Sequence, residues 1–142
     1  MEFEWKKFNL PGYGPLKIKY IKNPEKPFIA NGGPLEGIKV DKYFFEYFSK
    51  KEKNACIWHE MYHTLFSTVL KKIKNELFYC QKQANWIEEF EADKYAANNY
   101  NKKITLDYLK ICKKLYQQKI VIRNPKTHPP IQERIKRIKK LK

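Results

Sequence analysis

The chain has 142 residues, 42% hydrophobic and 15% aromatic, which is enough to bury one core and too apolar for a disordered polymer; a single domain over residues 1–142 is expected. Thirty Lys and Arg against 15 Asp and Glu leave a formal charge of +15. That charge fits contact with nucleic acid or an anionic membrane surface. It also fits Lys spread as solvated surface, the better reading, because the one dense basic cluster is terminal: Arg134, Lys136, Arg137, Lys139, Lys140 and Lys142.

The N-terminal residues include Glu2 and Glu4 with no apolar run behind them, so no secretory signal is expected. The apolar stretch 64–70 is far shorter than the roughly 20 residues that span a bilayer, and no transmembrane segment is expected. Cys56, Cys80 and Cys112 are odd in number and widely spaced, which suits reduced thiols buried as small hydrophobes in a cytoplasmic protein.

Residues 16–22 alternate Leu16, Ile18 and Tyr20 with Lys17 and Lys19, the pattern of a half-buried strand closed by Asn23 and Pro24. Residues 27–30 read as a short edge strand ending in a turn at 31–34, and residues 37–40 as a third strand. The period then becomes helical. A short helix is expected over 41–48, and Ser49 with Glu52 forms a capping-box pattern that opens a long helix to about residue 74. Further helices are expected over 84–99, from an N-cap at Thr105 to about 118, and from Pro130 onward, with Ile131, Ile135, Ile138 and Leu141 on one face. Sheet first and helices after define an α+β class.

The long helix carries His59, Glu60 and His63 in the HExxH pattern. One helical turn puts both imidazoles on one face, a spacing that suits two nitrogen ligands of one zinc ion. Glu60 then lies beside the metal, where its carboxylate can take a proton from zinc-bound water as general base. A catalytic site needs a third protein ligand and an open position. His128 is one candidate. Glu89 is the better one, because Glu89 and Asp93 share a helical face, so that Glu89 can bind zinc while Asp93 accepts the free ring N–H of a ligand histidine. Glu88 and Glu91 are expected to face solvent.

HExxH followed by Glu89, Ala92 and Asp93 resembles the gluzincin metallopeptidases, specifically the integral-membrane family that processes prenylated proteins and degrades misfolded membrane proteins. The resemblance implies that Phe28, Ile29, Ala30 and Asn31 belong to an upper-rim edge strand pairing with an extended peptide or protein substrate. It assigns His128, in the Thr127 to Pro130 segment, to oxyanion stabilisation, and Arg134 to orienting the site. Where that family has leucine and glycine inside HExxH, this chain has Met61 and Tyr62, and the family's membrane spans are missing between His63 and Glu89. A catalytic core without its membrane resembles the minigluzincins, minimal soluble relatives held latent by their C-terminal segments, and implies a zymogen covered by residues 131–142. The expectation is a zinc endopeptidase with one catalytic ion. Two other readings stay open: a repressor-cleaving metallopeptidase of a mobile element, and a non-catalytic binder of nucleic acid or anionic membrane that uses the basic C-terminal helix with structural zinc. A homodimer through that helix also stays open.

Overall fold

A computed structural model describes residues 2–67, 77 and 80–142. It has the α+β arrangement: four strands, β1 (Glu2–Leu10), β2 (Gly14–Lys22), β3 (Ala30–Gly33) and β4 (Gly37–Asp41), form one sheet in the order β1-β2-β4-β3. β1 and β2 are an antiparallel hairpin, β2 and β4 are parallel, and β3 returns antiparallel to β4 with Gly32 opposite Ile38. Ile18, Tyr20, Ile38 and Val40 point to one face and enter the core, as the alternation requires. β1 escapes sequence reading because two acidic residues open it and only Phe8 and Leu10 of its inner face reach the core.

Helices cover the inner face of the sheet. They are α1 (Lys42–Phe45), α2 (Lys50–Phe66), α3 (Gln81–Ala96), α4 (Lys102–Gln117) and α5 (Ile131–Lys139), with a π-helical turn at Ala97–Asn101. The capping box at α2 is present: Ser49 Oγ accepts from the Glu52 amide, and Glu52 Oε2 accepts from the Ser49 amide. α2 runs through the middle of the molecule, with Ala55, Cys56, Ile57, Trp58 and Met61 all in the core. α5 joins that core through Ile135 and Ile138, with Ile131 and Leu141 packed against it.

Several boundaries differ from the sequence reading. The edge strand lies at Ala30–Gly33, not 27–30, so the residues expected to turn are paired to β4. α1 is only Lys42–Phe45, capped by Asp41. α2 ends at Phe66, and its expected continuation over 68–74 lies outside the described residues. α3 starts earlier than expected, at Gln81. Thr105 is not a cap: Asn101 Oδ1 accepts from the Ile104 amide at 2.9 Å, while Thr105 sits inside α4 and donates from Oγ1 to Asn101 O. Pro130 is the N-cap position of α5 rather than its first residue. Cys56 and Cys112 are buried, but Cys80 is exposed at the start of α3.

Gly32 sets how closely the sheet approaches α2. A Cβ there would lie 2.4 Å from the backbone oxygen of Glu60, whereas a Cβ at Gly33 would meet nothing within 4 Å. Gly32→Ala is therefore expected to lose about 1–3 kcal/mol of stability by overpacking. Gly33→Ala should stay within about 0.5 kcal/mol of the parent. Denaturant unfolding of the two variants tests this; equal losses would mean that the strand and helix are not held at this distance.

Candidate metal centre

α2 presents His59, Glu60 and His63, and α3 brings Glu89 and Asp93 against them. The four-residue spacing in each helix aligns these side chains on facing surfaces. The two histidine Nε2 atoms lie 3.3 Å apart. His63 Nε2 is 2.9 Å from Glu89 Oε1, and His59 Nε2 is 3.4 Å from Glu89 Oε2. Ligands 2.0–2.1 Å from a tetrahedral zinc ion stand about 3.3–3.4 Å from one another. Each imidazole nitrogen of this His59–His63–Glu89 triangle meets a different oxygen of the Glu89 carboxylate, at separations close to those dimensions, and His59, Glu60 and His63 also bring ligand atoms within 4.8 Å of one another.

Two further observations fit a cation at this point. Glu89 Oε2 is buried with no partner at hydrogen-bond geometry, though His59 Nε2 at 3.4 Å and Arg134 Nη2 at 3.6 Å balance part of its charge; a cation would complete it. His59 Nδ1 lies 2.8 Å from Asp93 Oδ1, so the ring N–H is taken up by Asp93 and the Nε2 lone pair is left facing the triangle. Glu60 is the less suitable third ligand. Its nearer oxygen is 3.9 Å from His59 Nε2, farther than either Glu89 oxygen is from its histidine.

Asp93 is itself held in place. Arg134, from α5, donates Nε to Oδ2 and Nη2 to Oδ1, both at 2.8 Å, in the two-pronged geometry of guanidinium on carboxylate. Both side chains are buried. α5 thus supplies a site residue as well as core residues. The segment expected to cover the cleft, residues 131–142, is thus also part of the core and of the Asp93 pairing: its removal would take Arg134 from Asp93 and Ile135 and Ile138 from the core.

His128 borders the triangle from the loop before α5, with Nε2 3.9 Å from Glu89 Oε2. The loop is tied to α3 by Trp86 Nε1 donating to Pro125 O and Asn85 Nδ2 to Lys126 O, and Arg123 Nη1 donates to His128 O. Thr127 Oγ1 is 2.7 Å from His128 Nδ1; when it donates there, Nε2 carries the proton and faces the site. Glu88 was expected in solvent but is half-buried beside the site, accepting from Ser67 Oγ at 2.6 Å and lying 3.7 Å from His63 Nδ1. Its adjacency to Glu89 was the only signal in the sequence, and it gave no direction. Glu91 is exposed as expected.

A cavity of about 110 Å³ adjoins the triangle between Phe28, Ile29, Ala30 and Asn31 on one side and Val121, Arg123 and His128 on the other. A second, of about 150 Å³, lies on the far side of Ala30, against Gly32, His63 and Glu88.

Burial opposes charge on His59, but Glu89 and Asp93 outweigh it and lift its pKa to about 9. His63 is likewise raised, its burial outweighed by Glu88 and Glu89. Burial lifts the Glu60 carboxyl above its usual range against the pull of both histidines. Burial, with Arg134, lowers His128 and keeps it neutral. Glu89 is held well below the carboxylate range: its burial is overcome by His59, His63 and Arg134.

No family model, curated protein or solved structure matches the chain. No helix among the described residues is long and apolar enough to cross a membrane.

Asp93→Asn should weaken zinc binding about 10- to 100-fold, because it unpins the His59 tautomer; competition with a chromophoric chelator measures this, and an unchanged affinity would remove Asp93 from the site. In the metal-free protein, the folded His59 pKa of about 9 lies above its unfolded value, so its stabilisation is complete below about pH 6.5 and fades as pH rises through 9. A zinc ion bound there would have to displace that proton. Its affinity should therefore rise from pH 6 to 9 while the metal-free melting temperature loses the His59 contribution, and a flat zinc affinity would contradict the assignment.

Proposed function

We propose that the chain is a zinc-dependent peptidase of gluzincin type, acting on extended peptide segments. The observation that carries the reading is the convergence of His59 Nε2, His63 Nε2 and the buried Glu89 carboxylate, one of whose oxygens has no partner at hydrogen-bond geometry. His59, His63 and Glu89 would hold the ion, which when bound supplies a Lewis acid that makes water nucleophilic and polarises a carbonyl.

Glu60 is the general base in this reading. It is buried next to the triangle without being one of its corners, so its carboxylate is free to accept a proton from the attacking water and return it to the leaving amine. His128 faces the same space from the opposite wall, and its N–H is suited to an oxyanion developing on the scissile carbonyl. Asp93 and Arg134 do not touch substrate; they fix the orientation of His59.

The substrate would lie along β3. That strand is paired to β4 on one side, and among the described residues no strand covers its other edge. A peptide added there would use main-chain hydrogen bonds, with its side chains entering the cavities on either side of Ala30. The larger of the two has a volume of about 150 Å³. In this reading the loop segment with Val121, Arg123 and His128, which walls the smaller cavity opposite Phe28 to Asn31, would form the far side of the cleft.

Glu60→Gln should keep one zinc per chain and lose peptide hydrolysis by a factor of about 10³ or more. Digestion of an unfolded casein-type substrate, beside metal analysis, measures both, and full activity in that variant would end the reading. Cutting the chain before Ile131 is expected to destabilise the fold rather than activate it.

A further inference from the structure

The sheet's outer face is not used by the candidate site. Strand alternation places Phe3, Trp5 and Lys7 of β1, Lys17, Lys19 and Ile21 of β2 and Lys39 of β4 on that face. Trp5 pairs with Lys19 and Lys7 with Lys17 across the hairpin, and Lys19 pairs onward with Lys39. Phe3 and Trp5 remain 46% and 54% exposed, their rings meeting edge to face with centroids 6.4 Å apart. Lys19 Nζ lies 3.9 Å from the Phe3 ring centroid and 6.0 Å from that of Trp5. A cavity of about 460 Å³ opens beside Trp5, walled by Lys7, Pro15, Leu16 and Lys17.

The acids of the same hairpin are on the other side. Glu2 pairs with Lys22 and Glu4 with Tyr20, both in the inward register, and Glu2 and Glu4 are engaged by Lys22, Lys6 and Lys42. Near the outer face, Glu36 is engaged with Lys39 at 2.6 Å, and Asp41 is buried as the cap of α1. Lys7, Lys17 and Lys19 therefore stand around two exposed aromatic rings without a carboxylate bound to them among the described residues.

We propose that this face binds single-stranded nucleic acid, with bases stacking on Trp5 and Phe3 and phosphates neutralised by Lys7, Lys17 and Lys19. Rings supply sequence-tolerant stacking and flanking cations track the phosphate backbone. The net charge of +15 adds long-range attraction for a polyanion. A lipid surface fits less well, because the large exposed aliphatic side chains, Leu35, Leu65, Leu77 and Ile122, all lie off these strands, leaving no aliphatic wedge to insert. The proposal is independent of zinc and of peptide hydrolysis.

The test uses the full chain and fluorescein-labelled 12-mers of thymidine and of uridine, read by anisotropy from 50 to 200 mM salt. Binding to either strand should weaken roughly five- to hundredfold in Trp5→Ala and recover in Trp5→Phe. Lys7→Gln with Lys17→Gln should flatten the plot of log affinity against log salt by about 0.7 for each phosphate contact removed. A preference between the two 12-mers decides whether DNA or RNA is the ligand class. The proposal is overturned if neither 12-mer binds at 50 mM salt. It is equally overturned if Trp5→Ala binds as the parent does while Lys136→Gln with Lys140→Gln abolishes binding, or if vesicles of phosphatidylserine bind through Trp5 and the 12-mers do not. Unchanged circular dichroism confirms that the variants fold.

Discussion

The carboxylate of Asp93 joins three helices at one point. It takes a hydrogen bond from His59 on α2 and two from Arg134 on α5, at 1% exposure, while its own helix α3 carries Glu89 one turn away. A buried carboxylate without such partners would be protonated or expelled, since moving it out of water costs several kcal/mol. Here the guanidinium balances its charge and the imidazole adds a third hydrogen bond. That leaves His59 with its other nitrogen turned toward His63 and Glu89. Placement of α5, tautomer of His59 and spacing of the ligand triangle thus depend on one set of bonds.

The second constraint is steric. β3 crosses α2 so closely that only hydrogen fits at Gly32, which brings a strand with a free edge directly over Glu60. Glu60, the His59–His63–Glu89 cluster and the unpaired edge of β3 are adjacent because of that approach. The opposite face of the same sheet carries the aromatic and lysine cluster at Trp5, so the sheet separates two surfaces of different chemistry. The inner face is apolar, with the buried carboxylates and imidazoles on the helices packed against it, and the outer face carries exposed rings and lysines.

Much of this was legible in the residues. Ser49 and Glu52 marked the start of α2, and the alternation from Leu16 to Tyr20 marked β2, because both patterns report local geometry that tertiary packing did not override. The spacing of His59, His63, Glu89 and Asp93 placed four side chains on two facing helices. Arg134 was visible only through resemblance, since its role arises from a contact between α3 and α5 that no local pattern encodes. β1 was missed because an edge strand with a solvated face needs little hydrophobic alternation, and the Asn101 cap was missed because a π turn shifted the helix start. Glu88 was misjudged because its neighbour Glu89 filled the expected role, and nothing in the spacing showed Ser67 reaching it.

The central claim is that two imidazole nitrogens and one carboxylate oxygen hold a single zinc ion between α2 and α3. X-ray absorption at the zinc edge of the metal-loaded protein tests it most directly. The account predicts a four- or five-coordinate ion with only nitrogen and oxygen neighbours, at about 2.0–2.2 Å, and two imidazoles in the outer scattering. Sulfur at about 2.3 Å, or zinc surrounded by water alone, would contradict it.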